Sequence, residues 1–171
     1  MQPTITPFLW FDNQAEQAAA LYTSIFPNSR ILEVSRYGDS GPGQPGQAMT
    51  VSFELNGQHV IALNGGPAYH FTEAFSFVVN CETQDEVDRY WDALLGGGGR
   101  EDQCAWLKDR YGLSWQIVPT ILPKLLGDPD PERTGAVMQA MLRMKKIEVP
   151  LLQEAYDHPE RATAGAGSRG A

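Results

Sequence analysis

Apolar positions recur along this chain in two rhythms. Alternation of apolar and polar residues predicts short strands over 5–11, 30–37, 48–55, 59–64, 74–79 and 104–119, while three- and four-residue spacing predicts helices over about 13–26 and 83–95. Pro7 suits an edge or the mouth of the first strand, because proline cannot donate to a sheet ladder. In order, the elements read strand, helix, strand, strand, strand, and after Gly65-Gly66-Pro67 the same order starts again.

Local signals sharpen the boundaries. Asn13, three residues before Glu16, is the expected cap of the first helix, whose apolar stripe is Ala18, Leu21, Tyr22, Ile25 and Phe26. Thr83 and Glu86 form a capping box for the second, and Val87, Tyr90, Trp91 and Leu94 give it one packed face. Asn56-Gly57 between two strands is a type I′ hairpin signal. The glycine- and proline-rich run 38–46 is a surface loop, read equally as a lid or a variable excursion. Cys104 to Pro119 reads as two strands joined by Asp109-Arg110-Tyr111-Gly112, and 101–103 must begin the strand missing from the second unit or provide a degraded version of it.

Beyond 119 the pattern turns helical. A short helix over 120–126 is ended by Gly127, Asp130-Pro131 opens another that runs to about Lys146, and 147–156 extends this appendage. Met138, Met141 and Met144 fall at helical spacing; packing against the sheet or a second subunit is favoured over an adaptable binding stripe. Residues 158–171, rich in Ala and Gly, read as a flexible tail.

With 171 residues the chain suffices for one domain or two small fused modules. A formal charge of −8 argues against nucleic-acid and anionic-membrane partners. Cys81 and Cys104 stand in no metal-ligand spacing, and no apolar run is long enough to span a bilayer, so a reduced, cytoplasmic protein is expected.

No nucleotide-binding glycine fingerprint, metalloprotease helix or nucleophile elbow is present. The run Gly96 to Gly99 follows a helix, where it serves as cap and turn; phosphate cradles precede one. Of the three histidines, His59 reads as a solvent-facing or merely satisfied strand residue, His158 lies in the tail, and His70 is a candidate for the cleft. Strand interiors offer mainly Glu54, Asn64, Glu73, Ser76 and Gln116, a poor supply of ligands for a divalent metal. Cys104 and Trp106 are expected to share one sheet face, with Cys104 either a buried structural cysteine or, given a base, a nucleophile. Gln116 with Ser114 is the pair expected to offer polar contacts in a cleft, the equal alternative being a buried glutamine satisfied by neighbouring backbone.

Four stretches carry a family resemblance: Thr6-Pro-Phe-Leu-Trp-Phe-Asp12, Leu63-Asn-Gly-Gly-Pro67, Glu82-Thr-Gln-Asp-Glu-Val-Asp-Arg-Tyr-Trp91 and Trp106-Leu-Lys-Asp-Arg-Tyr-Gly-Leu-Ser-Trp-Gln-Ile-Val-Pro119. With Met141-Leu-Arg-Met-Lys-Lys-Ile147, they make the chain resemble the PhnB-like, or demethylubiquinone methyltransferase-like, family of the vicinal oxygen chelate superfamily over about residues 4–156. The resemblance implies an α+β fold of paired β-α-β-β-β modules forming an incomplete barrel around a cleft, usually in a homodimer. Module one is expected over 4–65, module two over 70–119 and the helical appendage over 120–157, all within a single domain 1–157. Metalloenzymes of that superfamily place ligands on the first and last strands of each module, which by strand order are Pro7, Asn64, Glu73 or Ala74, and Gln116 here. Proline and alanine supply no ligating side chain, leaving Asn64, Glu73 and Gln116 as the candidate metal ligands, and no adenosylmethionine-binding glycine loop supports methyl transfer.

The leading expectation is therefore a cytoplasmic homodimer binding a small organic molecule, its cleft lined by Trp10, Phe53, His70, Cys104, Trp106 and Gln116, with no cofactor assigned. One alternative is a metal-assisted lyase, isomerase or oxygenase, or a metal-free catalyst using Cys104 or His70. Another is a structural or regulatory homodimer without an open cleft.

Overall fold

The computed structural model describes residues 5–164. The chain divides into two compact units, Met1–Thr72 and Glu73–Ala171. Each contains a β-α-β-β-β module, and helices follow the second, so the fold is of the α+β class expected from the element order. The boundary falls just past the expected glycine break, and the appendage belongs to the second unit.

In the first unit, β1 (Phe8–Phe11), α1 (Ala15–Ile25), β2 (Arg30–Arg36), β3 (Ala48–Leu55) and β4 (Gln58–Asn64) build a sheet of order β1-β4-β3-β2. β1 runs parallel to β4 because the α1 crossover returns the chain in the same direction; the other pairs are antiparallel. The β3–β4 hairpin turns through Asn56 and Gly57, both at positive φ (46° and 83°), as the type I′ signal requires. Ala15, Ala18, Ala19 and Tyr22 bury the inner face of α1. Small alanines let the helix approach the sheet closely, while Tyr22 lies 6.4 Å from the Phe53 ring.

The expected Asn13 cap is not formed. Gln14 occupies the N-cap position but its side chain makes no capping hydrogen bond, and the Ala15 amide donates instead to Asn64 Oδ1 at the end of β4 (2.8 Å). Proximity in sequence favoured Asn13, but the fold brings a carboxamide 49 residues away to the open helix end.

In the second unit, β5 (Ser76–Cys81), α2 (Gln84–Leu95), β6 (Arg100–Glu101), β7 (Trp106–Lys108) and β8 (Ser114–Pro119) form a sheet of order β5-β8-β7-β6. Thr83 Oγ1 accepts from the Glu86 amide (3.2 Å), as the capping box predicts. Glu86 reaches back to the Glu82 amide (2.7 Å), one residue further than the usual box. Val87, Tyr90, Trp91 and Leu94 bury α2 against the strands that carry Leu107, Trp115 and Ile117. The glycine run closes α2 through Gly96, and Gly97 leaves room for the Arg110 guanidinium, whose Nε donates to the Gly96 carbonyl (3.0 Å). The β7–β8 turn is fixed by buried Asp109, whose carboxylate accepts from the Tyr111 and Leu113 amides and from Trp115 Nε1.

Cys104 and Ala105 depart from the strand expected there. Both lie at positive φ (57° and 74°), and β7 begins only at Trp106. Their amides donate to the Met144 and Lys145 carbonyls (2.9 and 2.8 Å), contacts with a segment some forty residues on that alternation cannot encode.

The appendage comprises α3 (Ile121–Leu126), α4 (Pro131–Met141), α5 (Val149–Asp157) and α6 (Pro159–Ala164). α4 stops at Met141, not near Lys146, because 142–145 turns to present the carbonyls that Cys104 and Ala105 use. Ala105, Leu122, Leu125, Val137, Ile147 and Leu152 form its core, with Met141 and Met144 packed against it and Met138 exposed. Gln84 of α2 locks α5 in place, accepting from the Val149 amide (2.7 Å) and donating to the Ile147 carbonyl (3.0 Å). Helix α6 occupies the start of the segment expected to be an irregular tail; residues 165–171 of that segment lie outside the described residues.

Candidate functional site

Alternation along β8 sends Trp115 and Ile117 toward α2 and leaves Ser114, Gln116 and Val118 on the opposite face. Register then fixes their neighbours. Ser76, Ser114, Lys108 and Arg100 are successive cross-strand partners in one row over all four strands, and Val78, Gln116 and Trp106 form the next row. Gln116 Nε2 donates to Ser76 Oγ (2.9 Å). Ser114 is 1% exposed, yet its hydroxyl has no hydrogen-bond partner among the described residues. A buried hydroxyl left so costs about 1–3 kcal/mol, so the position favours a group that can bond to it.

Two cations end the first row. Lys108 Nζ lies 2.5 Å from Glu73 Oε1, and Arg100 Nη2 stands 3.9 Å from the same oxygen. The Lys108 ammonium, helped by a backbone hydrogen bond, holds the Glu73 carboxyl below the usual carboxylate range. The face thus combines hydroxyls, a carboxamide, an indole and an ion pair, groups that orient a small polar ligand.

Of the residues expected to line a cleft, Trp106 and Gln116 are brought together as direct cross-strand partners. Trp10 lies in the other sheet, its Nε1 donating to the Gly66 carbonyl (2.8 Å) and its ring edge-to-face with Tyr69. Phe53 is fully buried on the α1 side of its sheet, the wrong face for a ligand. His70 is exposed in the segment between β4 and β5. Cys104 sits outside the strand, its Sγ directed at the Met141 carbonyl (3.8 Å).

The candidate metal ligands are each committed elsewhere. Asn64 is buried and uses both ends of its carboxamide, on Ala15 and Ala48; Glu73 pairs with Lys108, and Gln116 bonds Ser76. Among the described residues no group of three or more His, Cys, Asp or Glu stands together to hold a metal ion. These residues do not fit a divalent-metal chelate.

The sequence reading missed Lys108 and Arg100. Lys108 was within reach, since it lies two residues beyond Trp106 and must share its face. Arg100 needed the β6–β7 register. In the first unit, the 38–47 loop folds over the Tyr37 ring, leaving no room for side chains at Gly41 and Gly43, and Tyr37 Oη donates to the Asn64 carbonyl (2.6 Å). Asp12, Tyr37, Asp39, Gln44 and Gln47 line a cavity of about 650 Å³ there.

The family described as 3-demethylubiquinone-9 3-methyltransferase matches residues 3–118. The chain belongs to this PhnB-like family of the vicinal oxygen chelate superfamily. A solved structure of a PhnB protein from Bacillus cereus is 35% identical, with a TM-score of 0.64 over 69% of this chain and 100% of that one. Protein PA1353 from Pseudomonas aeruginosa is 20% identical, with a TM-score of 0.57 over 69% and 98% of the respective chains. The fosfomycin resistance protein FosX from Listeria monocytogenes is 15% identical, with a TM-score of 0.54 over 75% and 99%; like the previous structure, it speaks for the fold alone. No curated protein matches the chain. The family match ends at 118, short of the 4–156 expected, so α3 to α6 of this PhnB-like protein lie beyond it.

Proposed function

We propose that this PhnB-like protein binds a small organic molecule on the face of its second sheet that carries Trp106 and Gln116. The observation behind this reading is the buried Ser114 hydroxyl, unpartnered among the described residues, one strand from Lys108 and one row from the Gln116 carboxamide. Half-buried Trp106 supplies an apolar platform, and Gln116 and Ser114 fix orientation. Catalysis by Cys104 or His70 is not part of the proposal, since one is turned to a main-chain carbonyl and the other is exposed.

We also propose that the protein works as a cytoplasmic homodimer. Phe8 (56% exposed), Val78 (52%) and Phe75 (45%) leave much apolar surface on or beside the sheets, which a second copy would cover. Among the described residues no helix is long and apolar enough to cross a membrane.

A fragment screen read by the Trp106 and Gln116 side-chain NMR signals tests the binding reading. Hits should lose affinity in Trp106→Ala and Gln116→Ala while both variants keep the wild-type fold. Hits that bind both variants unchanged place the site elsewhere.

A further inference from the structure

We infer that the ligand of this face carries an acid group, and that Glu73 is an internal stand-in which the ligand displaces from Lys108 and Arg100. The inference rests on the proposed binding face and names the class of molecule it takes.

The row Ser76, Ser114, Lys108, Arg100 places two hydroxyls and two cations side by side on one sheet face. In a chain of formal charge −8, this is a local concentration of positive charge with one carboxylate between the two cations. The partners are unequally held. The Lys108 side chain is 19% exposed and held in a strand, whereas Glu73 is 52% exposed and lies in the irregular segment before β5. A carboxylate that is half in water on such a segment is the partner that can leave, because an exposed ion pair is weak.

Removing Glu73 from Lys108 leaves a half-buried ammonium beside a buried hydroxyl that already lacks a partner. A second carboxylate placed there meets the ammonium and the Arg100 guanidinium as Glu73 does, in the row that also holds the buried Ser114 hydroxyl, a hydrogen-bond donor Glu73 does not use. Trp106 lies two residues along β7 from Lys108 on the same face, which at strand rise is about 7 Å, the breadth of one aromatic ring. The class that fits is a small planar or aromatic carboxylic acid, or a similarly sized anion, with its acid group over the row and its apolar body on the indole.

Benzoate and its neutral counterpart benzamide test this, titrated into the full chain and followed by the Trp106 indole and Gln116 carboxamide NMR signals. Benzoate should shift both signals and bind more tightly than benzamide. Glu73→Gln, at an exposed position, should tighten benzoate by about two- to fivefold, the equivalent of one surface ion pair, and leave benzamide unchanged. Lys108→Met should weaken benzoate by about tenfold or more. Circular dichroism and melting establish that Lys108→Met is folded; should it unfold, Glu73→Gln decides alone. Equal binding of the two probes overturns the acid group, and benzoate affinity indifferent to Glu73→Gln overturns the displacement of Glu73; either result leaves the binding face standing. Signals that neither probe moves overturn the face, and the inference with it.

Discussion

Asn64 caps the helix that begins at Ala15 from the far end of β4, its Oδ1 accepting from the Ala15 amide at 2.8 Å. Its Nδ2 donates to the Ala48 carbonyl at 2.9 Å, so one buried carboxamide ties α1, β3 and β4 together. Asn64→Ala removes both partners at once and leaves a buried donor and a buried acceptor unsatisfied. The expected loss is about 2–4 kcal/mol, seen as a lower urea midpoint with little change in the denaturant slope. A loss below about 0.5 kcal/mol, the level of an ordinary surface substitution, would show that the carboxamide contributes little.

Gln84 does for α5 what Asn64 does for α1. Gln84→Ala frees the Val149 amide and the Ile147 carbonyl, and faster hydrogen exchange is expected across 147–157 with β3 and β4 unaffected. Uniform acceleration through both units would mean that the contact supports the whole fold and not the appendage.

The ion pair beside it gives that docking a pH dependence. Lys146 holds the Asp88 carboxyl below its ordinary value, and Gln84 adds a second hydrogen bond. Asp88 in turn raises the Lys146 ammonium. A depressed carboxyl contributes stability above its unfolded pKa of about 4 and loses it as pH falls through the folded value; the raised ammonium contributes below about 10.4 and loses it as pH rises through the folded value. Exchange protection at 147–157 should therefore fall at both extremes, and Asp88→Asn should remove the acid limb. Retention of that limb in Asp88→Asn would assign it to other carboxylates.

Cys81 is fully buried, and burial, with Glu86 nearby, pushes its thiol up to about 11. It should resist an aromatic disulfide reagent at pH 8 in the folded protein and react once unfolded. Because the thiol ionises more readily in the unfolded chain, its contribution to stability is present below pH 8.5 and declines as pH rises from there toward 11. Modification of Cys81 in the native state at pH 8 would contradict this environment.

Asp109 is the hub of the β7–β8 turn, with Oδ1 on two amides and Oδ2 on the Trp115 indole (2.9 Å). Asp109→Ala should cost about 3 kcal/mol or more and shift the Trp115 indole signal strongly. An unmoved indole signal would show that packing alone positions the ring.

Local patterns carried most of the fold. The repeated element order, the Asn56-Gly57 hairpin, the Thr83 capping box and the glycine stop after α2 all rest on neighbours in sequence, and each appears as expected. What lay beyond them was set by distant partners. Asn13 lost its capping role to Asn64, and Cys104 left its strand for the Met144 carbonyl. Phe53 shares the apolar alternation of Val51 and Leu55, a clue that it faces α1 and not a ligand. Trp106 and Gln116 are legible as strand residues because each lies in an evident strand, but their pairing, and the row joining Ser114 to Lys108 and Arg100, appear only once three registers are known.

The main-chain bonds from Cys104 and Ala105 to residues 144 and 145 bear on what shortening the chain would do. Cutting the gene back to the length its relatives share would strip two amides of their acceptors at the very start of the strand that bears Trp106. A chain shortened before residue 144 would therefore have to find other acceptors for the backbone at 104–105, so the C-terminal helices and the second sheet are tied through the main chain itself.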